Sequence, residues 1–184
     1  PDDSTSELHM AMTMLNLGTL EYDEERYEAA LKTLDETQVI GDRLLSAHAD
    51  DPNVQVFAGE TLHVQGRCHR ELKRPKVALE FLEKAADIFQ GFVDRQPDDV
   101  RSQEKLSSVW ADMAYVHFKV PDQAKTEAAW ATSLKHVEIA HEKAPQVSVF
   151  RNQLSRRLAA RAYHRCRFGK LEPALADITR AREL

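Results

Sequence analysis

The side chains with the most evident capacity for chemistry are eight histidines and two cysteines. His164 and Cys166 are two residues apart, so on a helix they point in different directions and cannot share a metal ion without further ligands. His136 and His141, five residues apart, are an equally weak pair. The sequence has no His-Glu-x-x-His motif, no Cys-x-x-Cys motif and no glycine-rich phosphate loop. We therefore expect no metal, no cofactor and no catalytic residue.

A basic segment is the second chemically distinctive feature. From Arg151 to Lys170 there are seven basic residues and no acidic one. Arg157, Arg161 and Arg165 recur at intervals of four and form one stripe of a helix. Such a stripe could hold an acidic or phosphorylated segment through bidentate arginine contacts.

Two other interpretations of this basic patch stay open. Residues 1–51 hold thirteen Asp/Glu against three Lys/Arg, so acidic and basic ends could associate head to tail. We favour the simpler alternative, because charged runs are usually solvated faces. In that case the arginines pair with acidic residues of the last helix, which are Glu172, Asp177 and Glu183.

Composition excludes several classes of protein. The chain has 184 residues, of which 42% are hydrophobic, enough to bury a sizeable core. A net charge of −5 argues against nucleic acid as the main partner. No apolar run of roughly 18 residues occurs, so we expect no membrane span. The cysteines suggest no disulfide framework, which favours a reducing, cytoplasmic location. Because the chain opens at Pro1-Asp2-Asp3 without a signal peptide or initiator methionine, we interpret it as a piece of a longer protein.

The elements that must position these side chains follow from a period of 48 residues. A fixed period of this size is typical of a solenoid built from one supersecondary unit. We count each repeat from Ala11, Gly59, Ser107 and Ser155 as position 1. Positions 4, 8, 20, 24 and 27 then form the columns Met14/Leu62/Trp110/Leu158, Gly18/Gly66/Ala114/Ala162, Ala30/Ala78/Thr126/Ala174, Leu34/Leu82/Trp130/Ile178 and Thr37/Ala85/Ser133/Ala181.

The columns predict a pair of helices in each repeat. Apolar residues at positions 20, 21, 24 and 27 have the spacing of an amphipathic helix. Small residues at positions 8 and 20 would let its axis approach that of the preceding helix closely. Helices are predicted at residues 5–22, 25–48, 54–72, 75–95, 99–119, 122–143, 147–168 and 172–184. We expect a single repeat domain over residues 1–184, with repeats at about 5–52, 53–97, 98–145 and 146–184.

The last repeat is predicted to be truncated. Its second helix is shorter than its counterparts, and solenoid ends usually carry a polar capping element. Leu171, Leu175 and Ile178 would otherwise be exposed, so we expect missing chain or a neighbouring copy to cover them.

The pattern resembles the tetratricopeptide repeat (TPR). That family has large apolar residues at positions 4 and 7, Gly or Ala at 8 and Ala at 20, and it favours tryptophan at position 4, where Trp110 stands. The string Arg26-Tyr27-Glu28-Ala29-Ala30-Leu31 resembles the start of its second helix. The resemblance implies an all-α solenoid, a right-handed superhelix of antiparallel helix hairpins with about eight helices. The usual function of TPR domains, which the resemblance implies here, is to bind a protein or peptide partner without catalysis.

In that family the first helices line a concave groove. Transferred to this sequence, the groove is expected to include Tyr22, His63, Arg67, Arg70, Tyr115, Phe118, Arg156, Tyr163 and Arg167. Arginine and aromatic residues dominate interface hot spots, which suits peptide binding. The family's carboxylate clamp needs Lys and Asn at positions 5 and 9 of its opening unit. Leu15 and Thr19 stand there, so a clamp for C-terminal peptides is not expected.

A second resemblance concerns the string from Pro145 to Leu154, Pro-Gln-Val-Ser-Val-Phe-Arg-Asn-Gln-Leu. It is similar to tandem repeats that lie C-terminal to bacterial Ser/Thr kinases, notably in planctomycetes. No kinase signature occurs in this chain. Two alternatives to simple partner binding stay open. The charged ends could make the chain a self-assembly module, and the kinase resemblance implies a substrate recruiter of a multidomain kinase. The expected partner is a protein or peptide, and an acidic or phosphorylated segment is one candidate.

Overall fold

The computed structural model describes residues 3–184, which form eight α-helices. Each predicted helix is present, and every boundary agrees within two residues, because the proline and aspartate breakers lie between the periodic segments. The helices are α1 Asp3–Asp23, α2 Tyr27–Ala47, α3 Pro52–Glu71, α4 Pro75–Arg95, α5 Val100–Lys119, α6 Gln123–Lys143, α7 Ser148–Arg167 and α8 Leu171–Glu183. The all-α class is therefore confirmed.

Local chemistry explains several helix starts. The side chain of Asp51 accepts a hydrogen bond from the amide of Asn53, and Pro52 occupies the first turn of α3, where its missing N–H leaves no bond unmade. The carboxylates of Asp99 and Asp122 accept amide hydrogen bonds in the same way at the starts of α5 and α6. These caps satisfy backbone donors that have no partner inside the helix.

Helix pairs pack closely at the small-residue columns. A Cβ atom added to Gly18 would lie 2.8 Å from Leu34, and one added to Gly66 would lie 2.7 Å from Leu82. The first and second helices of a repeat thus touch at positions 8 and 24. This contact gives the small-residue column its physical reason.

The α5–α6 hairpin has a second close approach, at positions 1 and 27. Ser107 Oγ donates to the backbone oxygen of Ser133 over 2.6 Å, and Ser133 Oγ donates to that of Ser107 over 2.7 Å. Ser155, one period later, donates to the backbone oxygen of Ala181 in α8. In both hairpins, a serine side chain of the first helix therefore bonds to a backbone carbonyl of the second. This close approach requires small side chains where the two helices cross.

The turn between the two helices of a repeat is built in one way. Residues 26, 74, 122 and 170 each donate their amide to a carbonyl five residues back. This bond belongs to the Schellman motif, which places the preceding residue in the left-handed region. Glu25, Lys73 and Gly169 have φ of 61°, 58° and 74° there. Pro121 occupies the same position in the third repeat, where its ring excludes a positive φ.

The contacts group the chain into two compact units, Pro1–Ile88 and Phe89–Leu184, with the boundary inside α4. The first unit has a core cluster drawn from α1, α2 and α3 that includes Leu15, Leu34, Phe57 and Cys68. The second unit has one cluster centred on Leu134, Val137, Leu154 and Leu158, and another centred on Ala140, Ala144 and Phe150. Each unit therefore buries its own apolar side chains.

The two tryptophans of the repeat columns differ in exposure. Trp130 is buried, whereas Trp110 is only half-buried.

None of the helices within residues 3–184 combines the length and the apolar character needed to cross a bilayer.

Candidate functional site

In the first unit, three of the predicted groove residues meet where α1 contacts α3. The guanidinium of Arg67 lies 4.1 Å from the ring centre of Tyr22, in cation–π geometry. Arg70 Nη2 donates to the Tyr22 hydroxyl over 3.1 Å and also pairs with Glu71 at 2.6 Å. Tyr22 is thus held from two sides by arginines one repeat further along. His63, half-buried on α3, lies four residues before Arg67. We call Tyr22, His63, Arg67 and Arg70 the α1–α3 surface.

In the second unit, the groove aromatics converge on one histidine. The Phe118 ring of α5 stacks on the His164 ring of α7, with centroids 3.8 Å apart and planes inclined by 9°. The Tyr115 ring approaches the same imidazole edge-on at 5.2 Å, and Tyr163 lies 6.0 Å from Phe118. Phe168 closes the group at 5.5 Å from Phe118. The predicted residues Tyr115, Phe118 and Tyr163 therefore belong to one aromatic cluster.

His164 is fixed in its position by α6. The indole Nε1 of Trp130 donates to His164 Nδ1 over 2.7 Å, and both side chains are buried. Indole can only donate, so Nδ1 carries no proton and the neutral ring holds its hydrogen on Nε2. Burial, with a smaller contribution from the Lys119 charge, lowers the pKa of His164 to about 4. At neutral pH the ring therefore acts as a flat, uncharged platform for Phe118.

Exposed cations flank this cluster. Arg156 precedes Tyr163 by seven residues and Arg167 follows it by four, so the three side chains share one stripe of α7. All three are exposed, Tyr163 by 56% of its surface. Lys119, also exposed, follows Phe118 on α5. We call Tyr115, Phe118, Lys119, Arg156, Tyr163 and Arg167 the α5–α7 surface. It presents aromatic faces between positive charges.

The predicted basic patch lies on another side of α7 and has partners within the chain. Asp177, only 4% exposed, accepts two hydrogen bonds from Arg161, at 2.6 and 2.9 Å, and one from Arg165 at 2.8 Å. Arg165 Nη2 also pairs with Glu127 of α6 at 2.9 Å. One carboxylate of α8 thus bridges two like charges that would otherwise repel one another.

Arg157, the third residue of the patch, is buried and contacts neutral groups. Its guanidinium donates to Gln153 over 3.0 Å and to Ser108 over 2.8 Å. Both of these residues also donate to the Glu104 carboxylate of α5, each over 2.9 Å. The Glu104 carboxylate therefore interacts with Arg157 indirectly, through Gln153 and Ser108. This hydrogen-bond network connects α5 to α7.

The two cysteines lie in different environments. Burial raises the pKa of the Cys68 thiol to about 12, so it stays protonated and unreactive at neutral pH. Cys166 is exposed on α7. Across residues 3–184, no three His, Cys, Asp or Glu side chains gather in an arrangement that could hold a metal ion.

Sequence reasoning missed the role of His164, which it considered only as a metal ligand. The 48-residue period would have indicated the packing role of His164, because the residues at the same position in the earlier repeats are Val116, Cys68 and Leu20. Val116 and Cys68 are buried. A histidine in a column whose other members are all apolar indicates a packed, neutral ring.

Comparisons with known proteins concern the fold. No protein-family model matches this sequence, and no curated protein matches it. The structure is similar to that of a de novo designed helical repeat protein, with a TM-score of 0.57, 19% identity, and coverage of 98% of this chain and 93% of the other. It also resembles a thermophilic TPR protein of Thermus thermophilus, at a TM-score of 0.46, 18% identity, and coverage of 94% and 90%. The likeness to the designed protein shows an α-helical repeat fold.

Proposed function

We propose that this chain is a noncatalytic protein-interaction module that holds a peptide or protein segment on the α5–α7 surface. A helical-repeat fold is consistent with such a scaffold. One observation carries the proposal: the exposed Tyr163 is flanked by Arg156 and Arg167 on a single stripe of α7. Tyrosine and arginine are the side chains that most often anchor a protein interface.

The chemistry of the surface defines the class of partner. Tyr115 and Tyr163 are 38% and 56% exposed, whereas the rings beneath them are buried or half-buried. A ligand side chain that covers the two tyrosines would gain apolar contact on a preorganised support. Arg156, Arg167 and Lys119 add positive charge around that contact. We therefore expect an acidic segment that carries at least one aromatic or large aliphatic side chain.

A random-peptide phage library tests this proposal and does not require the partner to be identified. Selection on the 184-residue chain is expected to enrich acidic peptides with an apolar anchor. Two variants should each lower the affinity for a selected synthetic peptide by about tenfold or more. They are Tyr163→Ala and the double substitution Arg156→Glu with Arg167→Glu. Affinity should also fall with added salt, since exposed charges are screened.

Arg151→Glu is the matched control. Arg151 is an exposed arginine of the same helix but lies on a different side from the Tyr163 stripe. Its reversal introduces the same kind of charge change and should leave peptide affinity within about twofold. Failure to enrich any peptide class, or equal losses for Arg151→Glu and the Arg156/Arg167 pair, would reject the α5–α7 surface as the binding site.

The α1–α3 surface is proposed as a second contact region of the same kind. Tyr22 and Arg67 form a cation–π pair that a ligand could extend, and Glu71 adds a negative group beside Arg70. Its mixed charge favours a different part of a partner from the one held on the α5–α7 surface. Tyr22→Ala should lower the affinity for a folded partner and leave the affinity for short acidic peptides unchanged, as measured by titration calorimetry.

A narrower role as the substrate recruiter of a Ser/Thr kinase has support only from the Pro145–Leu154 string. Two of its apolar residues, Phe150 and Leu154, are buried in core clusters. Their packing function accounts for those two positions without a kinase. The coding sequence around this chain tests the idea, because a neighbouring kinase domain is expected and its absence would remove the proposal.

A further inference from the structure

The first and last helices of the chain each expose an apolar face. On α1, Met10, Leu17 and Leu20 are exposed by 54%, 48% and 54% of their surface. On α8, Leu171, Leu175 and Ile178 are exposed by 67%, 68% and 40%. Residues at spacings of three, four and seven share one side of a helix, so each set forms a continuous stripe.

The 48-residue period shows that α1 departs from its counterparts. The residues one period after Met10, Leu17 and Leu20 are Ala58, Gln65 and Cys68, and those two periods after are Leu106, Met113 and Val116. All six are buried. The face that α1 leaves open is therefore the face that later first helices bury.

The same comparison holds for α8. Ile178 follows Leu34, Leu82 and Trp130 in its column, and each of these is at most 1% exposed. Counterparts of Leu175 and Leu171 in the earlier repeats are buried or half-buried without exception. Both outer helices thus expose apolar side chains at positions that are buried or half-buried in the other repeats.

Junctions inside each unit show what buries such faces. In the first unit, Leu31 and Leu34 of α2 belong to the same core cluster as Cys68 of α3. In the second unit, Trp130 of α6 bonds to His164 of α7. A second helix is therefore covered by the first helix of the following repeat.

Projected by the period, this junction defines a contact between two molecules. Trp130 corresponds to Ile178, which lies one period later, and His164 corresponds to Leu20, which lies three periods earlier. We propose that α8 of one copy packs on α1 of a second copy in the register of the α6–α7 junction. Ile178 then contacts Leu20 of the second copy, and an apolar pair replaces the hydrogen-bonded pair seen inside the unit.

Charge favours this pairing over contacts between like ends. Residues 1–51 hold thirteen Asp/Glu and three Lys/Arg, while residues 151–184 hold nine Lys/Arg and three Asp/Glu. Two acidic α1 ends repel one another, and an acidic end attracts a basic one. The resulting head-to-tail contact uses different surfaces on its two sides, so it can add further copies without closing into a dimer.

Sedimentation velocity on the 184-residue chain tests the contact. At an ionic strength of about 50 mM, the weight-average mass should rise continuously between about 1 and 300 µM protein, and it should fall when salt is raised to about 500 mM. Leu20→Glu and Ile178→Glu should each give a monomer throughout this range. Leu20 and Ile178 are 54% and 40% exposed, and urea midpoints equal to that of the unsubstituted chain check that each variant keeps its packed core.

An equimolar mixture of the two variants gives the sharpest result. Leu20→Glu retains an intact α8 face and Ile178→Glu retains an intact α1 face, so the mixture should form a heterodimer and no larger species. Val39→Glu is the control, because Val39 is an exposed apolar residue whose counterparts Asp87 and Lys135 are exposed as well. It should associate like the unsubstituted chain.

Three outcomes would overturn the proposal. A chain that stays monomeric at low salt would show that some other segment covers these faces. Homodimers formed by either single variant would indicate a symmetric contact. Dissociation by Val39→Glu to the same extent would show that the association is nonspecific.

Discussion

The indole of Trp130 donates its only hydrogen bond to Nδ1 of His164, and this contact joins α6 to α7 at the base of the aromatic cluster. A proton on Nδ1 would remove the acceptor and place a charge beneath the Phe118 ring. In the same unit, His136 Nδ1 lies 2.6 Å from Gln103 Oε1, and the Gln103 amide nitrogen donates to the Pro97 carbonyl. The second unit therefore contains two buried histidines that its packing keeps neutral.

These two histidines should make the stability depend on pH. Burial lowers the pKa of both His136 and His164 from 6.5 to about 4. Between these values the unfolded chain binds protons that the folded chain does not, so the free energy of unfolding decreases as pH falls from about 6.5 to about 4. Each histidine is expected to cost about 1–2 kcal/mol at pH near 5. Urea unfolding at pH 7 and pH 5 measures the loss.

His164→Gln separates this effect from general acid sensitivity. Glutamine offers an oxygen to the Trp130 indole but does not titrate, so the loss between pH 7 and pH 5 should shrink by the contribution of one histidine, about 1–2 kcal/mol. Asn152→Gln, at an exposed and non-titrating position of α7, is the matched control and should keep the full pH dependence. Equal unfolding free energies for the unsubstituted protein at the two pH values would contradict the assignment.

Two glycine substitutions should have opposite effects. A Cβ at Gly66 would meet Leu82 Cγ at 2.7 Å and the Ala78 carbonyl at 3.3 Å, so Gly66→Ala forces α3 and α4 apart. Overpacking of this kind costs about 1–3 kcal/mol, which exceeds the gain of about 1 kcal/mol in helix propensity. At Gly91 the new atom would have Arg95 Nη1 as its neighbour at 3.7 Å, so Gly91→Ala should stabilise by about 1 kcal/mol. Urea midpoints that shift in the same direction would refute this contrast.

The hairpin turns allow a second paired substitution. Lys73 has a φ of 58°, a conformation that costs a residue with a Cβ about 1 kcal/mol. Its side chain is exposed, so Lys73→Gly should raise the free energy of unfolding by about that amount. Gly169 stands at the same position two periods later with a φ of 74°, and Gly169→Ala should lower it by a similar amount. Thermal unfolding followed by circular dichroism measures both, and a loss of stability in Lys73→Gly would be the contrary result.

The fold could be predicted closely from the sequence because its determinants recur every 48 residues. Small residues at positions 8 and 20, with prolines and aspartates between helices, define where each helix begins and which side it buries. Gly18 against Leu34 and Gly66 against Leu82 show the close helix approach that the small residues at position 8 predict. Local signals repeated four times leave little ambiguity about helix boundaries.

The candidate site could be predicted only in part, because its contacts join different repeats in ways that vary between them. The predicted groove positions include Tyr22 and Arg70, which lie one period apart and contact each other. Glu127, however, pairs with Arg165 across 38 residues, and only the register of α6 against α7 reveals that contact. Charged residues at equivalent positions differ between repeats, so periodicity carries no information about their partners.

The bridge formed by Asp177 should be a major contributor to the stability of the second unit. This carboxylate is buried and bonds to both Arg161 and Arg165. Asp177→Ala leaves two largely buried guanidinium groups without this partner, a change that usually costs about 3–5 kcal/mol. Glu172→Ala, which removes an exposed carboxylate from the first turn of the same helix, should cost less than about 1 kcal/mol. Urea unfolding at low and high salt compares the two variants. Because buried pairs are poorly screened, the deficit of Asp177→Ala should persist at about 500 mM salt. An equal loss of unfolding free energy in Asp177→Ala and Glu172→Ala would show that the Asp177 bridge does not stabilise the second unit.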